Sequence, residues 1–153
     1  MAAAVAARSS LPAAVDVVKA LAHPGRLRIL AMLRGGDLCV CQMTAVLELA
    51  ASTVSAHLGD LRRAGLVIER KRGKWVHYSL VGEGPLAALV QQALRLVEGD
   101  DRLRQDVKVV GALRKVPLAT FCRTGFDRTA VGRRAASGPP LARRRRSITR
   151  RKA

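Results

Sequence analysis

Cys39 and Cys41 stand one residue apart in the run Asp37-Leu38-Cys39-Val40-Cys41, a spacing at which two thiolates can chelate one soft ion. A third cysteine, Cys122, lies far along the chain. Three cysteines make an odd number, and the alanine-rich start lacks the basic and strongly apolar blocks of an export signal. A disulfide framework is therefore not expected; reactive or metal-binding thiols in a reducing cytoplasm are. On a regular helix, positions i and i+2 point about 200° apart. A shared ligand thus requires non-helical backbone at the pair, either standing or induced by the ligand, and induction would distort the start of the helix that follows. Thiolates suit As(III) and Sb(III), and also zinc, cadmium or Cu(I). Two other readings are a dithiol redox pair, with Cys122 as a resolving partner, and a pair of buried small hydrophobes.

A second set of residues suits a polyanion. The 153-residue chain carries a net charge of +17. From Arg123 onward eleven Lys/Arg face the single acid Asp127, so that stretch holds +10 and the remainder +7. A basic body with a more basic tail favours a nucleic-acid partner. Arg70, Lys71, Arg72 and Lys74 cluster around Gly73, and Arg62 and Arg63 precede them. A solvated charged face is the alternative for any one of these side chains.

The elements that must position these residues follow from periodicity. Ala14, Val17, Val18 and Leu21 recur on one face of a helix from Pro12 to Leu21. His23-Pro24 interrupts it, and Gly25–Leu33 resumes a helix that Gly35-Gly36 stops. A short helix over about Gln42–Leu47, a turn at Glu48–Ala50 and a helix over Ala51–Ala64 ended by Gly65 make a helix–turn–helix. Val54, Leu58 and Leu61 are the core stripe of the second helix. Ser52, Thr53, Ser55, Ala56 and Gly59 are its small outer face, and a glycine in mid-helix suits either a close approach to DNA or close helix packing. Two β-like runs, Leu66–Arg70 and Trp75–Leu80, flank a turn at Lys71–Lys74 and read as a wing. From Pro85 the chain is helical again, with Leu86, Leu89, Val90, Ala93 and Val97 on one face that suits a dimer surface. A weaker helix spans Asp101–Lys115. Beyond Cys122 periodicity is lost in Arg, Ala, Gly, Pro and Ser, a composition that cannot bury a core and reads as disordered. No apolar run reaches the roughly 18–20 residues needed to span a bilayer, and there is no internal repeat. The expected fold is mainly α with a two-stranded β wing. Residues 10–116 form the DNA-binding and dimerisation domain, and 117–153 form a C-terminal segment with an Arg-rich tail.

The segments LCVCQM, STVSAHLGDLRRAGLV and RKRGKWVHYSL, in that order and spacing, resemble the ArsR/SmtB family of metal-responsive repressors, most closely its arsenite-sensing branch. The resemblance covers about residues 13–116. It implies a homodimeric winged helix–turn–helix on double-stranded operator DNA, released when an inducer binds. It places Ser52, Thr53, Ser55, Ala56 and His57 at or near the major groove, with Ser and Thr able to reach bases or phosphates. Arg62, Arg63, Arg70, Lys71, Arg72 and Lys74 are the phosphate candidates. A packed, hydrogen-bonded His57 is the competing reading of that residue. Cys39 and Cys41 become the inducer ligands for As(III) or Sb(III). The branch commonly has a third cysteine three residues after the second, where this chain has Thr44. Two thiolates then suffice, or Cys122 reaches in, or a small thiol or a methyl group on the arsenic fills the third position. The family's zinc site on the last dimer helix requires Asp and His, and residues 85–98 offer only Glu98. The cadmium and lead class also uses cysteines in an N-terminal arm, and none precedes Cys39. A non-specific nucleic-acid-compacting protein acting through the tail is a further reading. No carboxylate pair, nucleophile–histidine motif or phosphate loop points to an enzyme.

Overall fold

The structure, a computed structural model, describes residues 10–124, with side chains as far as Phe121. Seven helices and three short strands follow in order: α1 (Leu11–Leu21), α2 (Pro24–Leu33), β1 (Leu38–Cys39), α3 (Val40–Leu47), α4 (Ala51–Arg63), β2 (Val67–Arg72), β3 (Trp75–Leu80), α5 (Gly84–Leu96), α6 (Asp101–Leu113) and α7 (Leu118–Thr124). The core is aliphatic, as the scarcity of aromatics demands. Ile29, Leu30, Met43, Leu47, Leu58, Leu61, Leu66, Leu94 and Leu113 are each essentially inaccessible to water.

The helix boundaries have visible chemical causes. Ser10 caps α1 by accepting from the Ala13 N–H at 3.3 Å. His23 caps α2, its Nδ1 accepting from the Gly25 N–H at 3.0 Å, with Pro24 in the first turn. Between α3 and α4 the chain reverses at Glu48, the one non-glycine described residue in the left-handed region (φ 57°), whose N–H bonds to the Thr44 carbonyl at 3.0 Å. Gly65 ends α4 at φ 78°. There the Leu66 N–H reaches the Leu61 carbonyl and the Gly65 N–H the Arg62 carbonyl, both at 2.9 Å, which is the Schellman pattern.

The sheet is antiparallel in the order β1-β3-β2. Its hairpin differs from the sequence expectation, because Lys71 and Arg72 are paired strand residues (Lys71↔Val76, Arg72↔Trp75) rather than part of the turn. The loop is only Gly73-Lys74, and a positive φ at its first position (59°) suits a two-residue hairpin of the II′ kind. Charge made these two residues look like loop, but a wing standing in solvent has no apolar alternation to preserve. The third strand, β1, is two residues long, too short to give any period-2 signal.

The helical faces also differ in part. In α1 the buried residues are Val17 and Ala20, whereas Leu11, Val15 and Val18 form a second stripe left 79%, 40% and 62% exposed. Ala14 and Val18, grouped by periodicity on one face with Val17 and Leu21, are both exposed. The helix carries two apolar stripes, and periodicity alone does not say which one meets its own core. In α5 likewise Val90 and Leu94 are buried, while Leu89 and Leu96 face outward.

Two arginines tie the layers together. Arg26 of α2 donates to the carbonyls of Ala20 (2.6 Å) and Lys19 (2.7 Å) at the end of α1 and to Asp60 Oδ2 of α4 (3.0 Å). Arg28 of α2 makes a two-pronged pair with Asp106 of α6, Nε to Oδ2 at 2.6 Å and Nη2 to Oδ1 at 2.9 Å. Asp106 is 1% exposed, so this pair fixes α6 across α2 and α3. The Phe121 side chain of α7 is also part of the core. Replacing Asp106 with Ala leaves the Arg28 guanidinium buried without its partner. Breaking such a pair costs about 3–5 kcal/mol, an expected loss that urea unfolding of the wild type and Asp106→Ala measures directly.

Candidate functional site

Cys39 is where strand becomes helix. Its backbone is extended (φ −86°, ψ 163°), it is the N-cap of α3, and its N–H donates to Oε1 of Gln42 at 2.9 Å, the reciprocal half of a capping box. Because the backbone is extended at Cys39 and helical from Val40 onward, the 200° divergence of a continuous helix does not apply. The Cys39 and Cys41 sulfurs stand 2.6 Å apart. Bringing them together therefore needs no unwinding of α3, and an induced distortion is not required for a shared ligand. Cys39 is buried and Cys41 half-buried, so the pair is open to solvent on the Cys41 side. The Thr44 hydroxyl donates to the Val40 carbonyl at 2.8 Å, one turn back along its own helix. Among the described residues no group of three His, Cys, Asp or Glu side chains is arranged to hold a metal ion. The side chain of Cys122 lies outside the described residues.

The ladder sets Cys39 opposite His77, which lies 15% exposed on β3. Asp37, two residues before Cys39 and so on the same side of the strand, has its Oδ2 2.7 Å from Arg72 Nη1 and 3.4 Å from His77 Nδ1. Neither approach is aligned as a hydrogen bond: Asp37 Oδ2 and His77 Nδ1 are buried atoms held by proximity of charge and dipole.

On α4 the outer face is as small and polar as the sequence indicates. Ser52, Thr53, Ser55 and Ala56 are exposed, and Val54, Leu58 and Leu61 point into the core. The cations differ in what they already hold. Arg62 pairs with Glu69 of β2 at 3.3 Å, and Arg63 pairs with Asp60 one turn back. The same Glu69 accepts from the Tyr78 hydroxyl at 2.8 Å; burial first, then this carboxylate, pushes the Tyr78 phenol up to about 12. Lys74 lies 4.9 Å over the Trp75 ring, and Arg72 is engaged by Asp37. Arg70 and Lys71 extend from β2 into solvent.

His57 is half-buried against His23, the ring centroids 4.4 Å apart and tilted by 47°. It joins the recognition helix to the cap of α2. Burial is the main cause holding its pKa below the ordinary histidine value, helped by His23 and Arg26 and opposed by Asp60. Four residues of this region were not singled out in the sequence: His23, Asp37, Gln42 and His77. Gln42, three residues after a capping position, had a readable signal. Asp37 and His77 depended on strand pairing that a two-residue strand does not advertise.

The lowered His57 value has a stability consequence of definite sign. The unfolded chain takes up a proton near pH 6.5, while the folded chain resists until a lower pH. Acidification therefore favours unfolding, beginning near 6.5 and continuing to the folded-state pKa. Tm is expected to fall between pH 7.5 and 5.5, with His57→Gln showing a smaller fall. An equal fall in both proteins would remove His57 as the cause.

Comparison with known proteins fits this geometry. The family model "Bacterial regulatory protein, arsR family" matches residues 23–69, from the cap of α2 into β2. The "Arsenic resistance transcriptional regulator ArsR1" of Pseudomonas putida is 46% identical over 70 residues, 45% of this chain and 55% of that protein. The "Arsenical resistance operon repressor" of Escherichia coli is 39% identical over 84 residues, 53% of this chain and 72% of the relative. The chain thus spans little more than half of the first relative and nearly three quarters of the second. Among solved structures, HlyU from Vibrio cholerae matches at 40% identity and a TM-score of 0.50, covering 56% of this chain and 91% of that one. A capped helix–turn–helix, an antiparallel wing and relatives of this kind together establish that the chain belongs to the arsR family of bacterial regulatory proteins.

Proposed function

We propose that the protein is a homodimeric transcriptional repressor that occupies operator DNA and lets go when trivalent arsenic or antimony binds Cys39 and Cys41, controlling arsenic-resistance genes in the cytoplasm. The observation that carries this reading is the side-by-side placement of the two sulfurs at the start of the first helix of the DNA-binding motif. Two soft donors within reach of one ion suit As(III) or Sb(III). Release follows if the ligand favours the DNA-free form, since an effector shifts an equilibrium only by its differential affinity. The Thr44 hydroxyl, occupied by its own helix, is no third ligand; Cys122 or a small-molecule thiol is assigned that position. The arsenic named for the Pseudomonas putida regulator and for the Escherichia coli arsenical resistance operon repressor supports the inducer class.

The DNA-binding and dimerisation unit is assigned to residues 10–116, with α7 attached through Phe121. The two exposed apolar stripes, Leu11, Val15 and Val18 on α1 and Leu89 and Leu96 on α5, are the surface for the second copy. On DNA, Ser52, Thr53, Ser55 and Ala56 face the groove, and His57 supports the helix from behind. Arg70 and Lys71 supply the strongest phosphate contacts, because Arg62, Arg63, Arg72 and Lys74 each already have a partner in the protein.

The same sulfur proximity favours one second reading, a dithiol redox sensor in which the two thiols yield two protons and two electrons to an oxidant and close a disulfide. Fluorescence anisotropy on operator-length DNA separates the two. Anaerobic As(III) is expected to lower wild-type affinity at least tenfold, with Cys39→Ser and Cys41→Ser holding DNA through the titration. Cys122→Ser losing release makes Cys122 the third ligand, while release retained makes the pair sufficient. Release by hydrogen peroxide but not by As(III) turns the assignment to redox sensing. A chain lacking residues 123–153 is expected to keep operator selectivity, and loss of nearly all binding would make the tail the DNA-binding element.

The cations are tested separately. With one contact from each protomer of the dimer, Arg70→Ala and Lys71→Ala are each expected to lower the slope of log affinity against log salt by about 2. Arg62→Ala is expected to change it by less than half as much, because Glu69 already neutralises that charge.

A further inference from the structure

We propose that Asp37 is a positioning residue that ties the tip of the wing to the thiol pair, so that occupancy of Cys39 and Cys41 is transmitted to the DNA-contacting hairpin through the Asp37–Arg72 contact. This inference rests on the thiol-sensing reading and adds to it the element that carries the signal.

The geometry joins three things that are separate in sequence. Asp37 immediately precedes the two-residue edge strand that ends at Cys39, so a backbone shift at Cys39 has only Leu38 between it and Asp37. Its buried Oδ2 lies 2.7 Å from Arg72 Nη1 and 3.4 Å from His77 Nδ1, and His77 is the cross-strand partner of Cys39. Arg72 closes the hairpin opposite Trp75, immediately before Gly73-Lys74. By strand pairing Cys39, His77 and Arg72 share one face of the sheet, and the contacts of Asp37 with Arg72 and His77 set its carboxylate on that face too. An open cleft of about 220 Å³ lies there, lined by Asp37, Arg70, Arg72, His77, Tyr78 and Ser79. In this cleft, lined by Arg70 and Arg72, the Asp37 carboxylate offers Arg72 the kind of anionic oxygen that a DNA phosphate would offer. It fixes Arg72 and also competes with DNA for it. Bridging the thiols draws the Cys39 and Cys41 sulfurs into a new spacing, moves Asp37 with Cys39, and changes where the hairpin tip stands.

Trp75 is the only tryptophan of the chain and pairs with Arg72, so its emission reads the hairpin without DNA. As(III) is titrated into full-length wild type, Asp37→Asn, Asp37→Glu and Arg72→Ala. Thiol occupancy is followed in parallel by the cysteines left reactive to a chromogenic disulfide. The wild type is expected to show a Trp75 change that saturates with thiol occupancy. Asp37→Asn and Arg72→Ala are expected to take up As(III) with the same stoichiometry but lose about three quarters of that change, and the double variant to lose no more than either single one. Asp37→Glu, which keeps the carboxylate, is expected to retain more than half. In DNA binding, Asp37→Asn should shrink the As(III)-dependent drop in affinity at least fivefold. A full Trp75 change in Asp37→Asn, or equal losses in Asp37→Asn and Asp37→Glu, overturns the proposal. If As(III) fails to protect wild-type thiols, the arsenic reading fails by itself. The tie is then read with hydrogen peroxide, which takes two hydrogens from the two thiols and leaves as water, and thiols consumed without a Trp75 response overturn the tie.

Discussion

The structure turns on a single backbone change at Cys39, extended on its N-terminal side and helical on its C-terminal side. Three consequences follow from that one residue. The sulfurs of Cys39 and Cys41 meet, because the angular step of a continuous helix is removed between them. The Cys39 main chain joins β3 as an edge strand, which places the thiol opposite His77. And α3 begins at a fixed point, its cap held by Gln42, so the turn at Glu48 and the recognition helix α4 take their position from it. A residue that is at once a strand end, a helix cap and one half of a thiol pair leaves little that can change there without being felt in all three.

Much of the rest of the fold keeps α4 where that start puts it. Arg26 holds α4 through Asp60 while also closing the end of α1, and His57 leans on the residue that caps α2. The Schellman turn at Gly65 then sends the chain directly into β2, so recognition helix and wing leave a common corner. At that corner Arg62, Glu69 and Tyr78 form a chain of contacts between the end of α4 and both strands. The DNA-facing parts are thus coupled to one another by short polar links, whereas the core beneath them is plain aliphatic packing.

The fold was legible in the sequence where periodicity or a backbone requirement was strong. Val54, Leu58 and Leu61 marked the buried stripe of α4, Gly65 its end, and Gly73 the hairpin. The errors have physical reasons. Lys71 and Arg72 read as loop because solvent surrounds the wing on both faces, so pairing there leaves no apolar trace. Val18 read as core because α1 has two apolar stripes, and a single sequence does not say which one a chain buries against itself. The thiol pair was legible as chemistry, but its geometry was not. Whether i and i+2 sulfurs meet depends on where one helix begins, and boundary positions are the least certain part of any sequence reading.

The most informative mismatch concerns charge. A sequence reading treats six cations on α4 and the wing as equivalent phosphate candidates, yet four of them are already engaged, by Glu69, Asp60, Asp37 and the Trp75 ring. An exposed ion pair contributes little to stability, about 0–1 kcal/mol, so these contacts orient the wing side chains and add little to the stability of the fold. Their effect lies in what they withhold. A cation paired with a protein carboxylate must exchange that partner for a phosphate when DNA arrives, and the exchange is nearly neutral in energy. Contacts that are nearly neutral are the ones a small conformational change can tip either way. In the proposed sensing role, a thiol pair two residues from one of those carboxylates needs only a modest displacement to alter how many charges the wing presents to DNA.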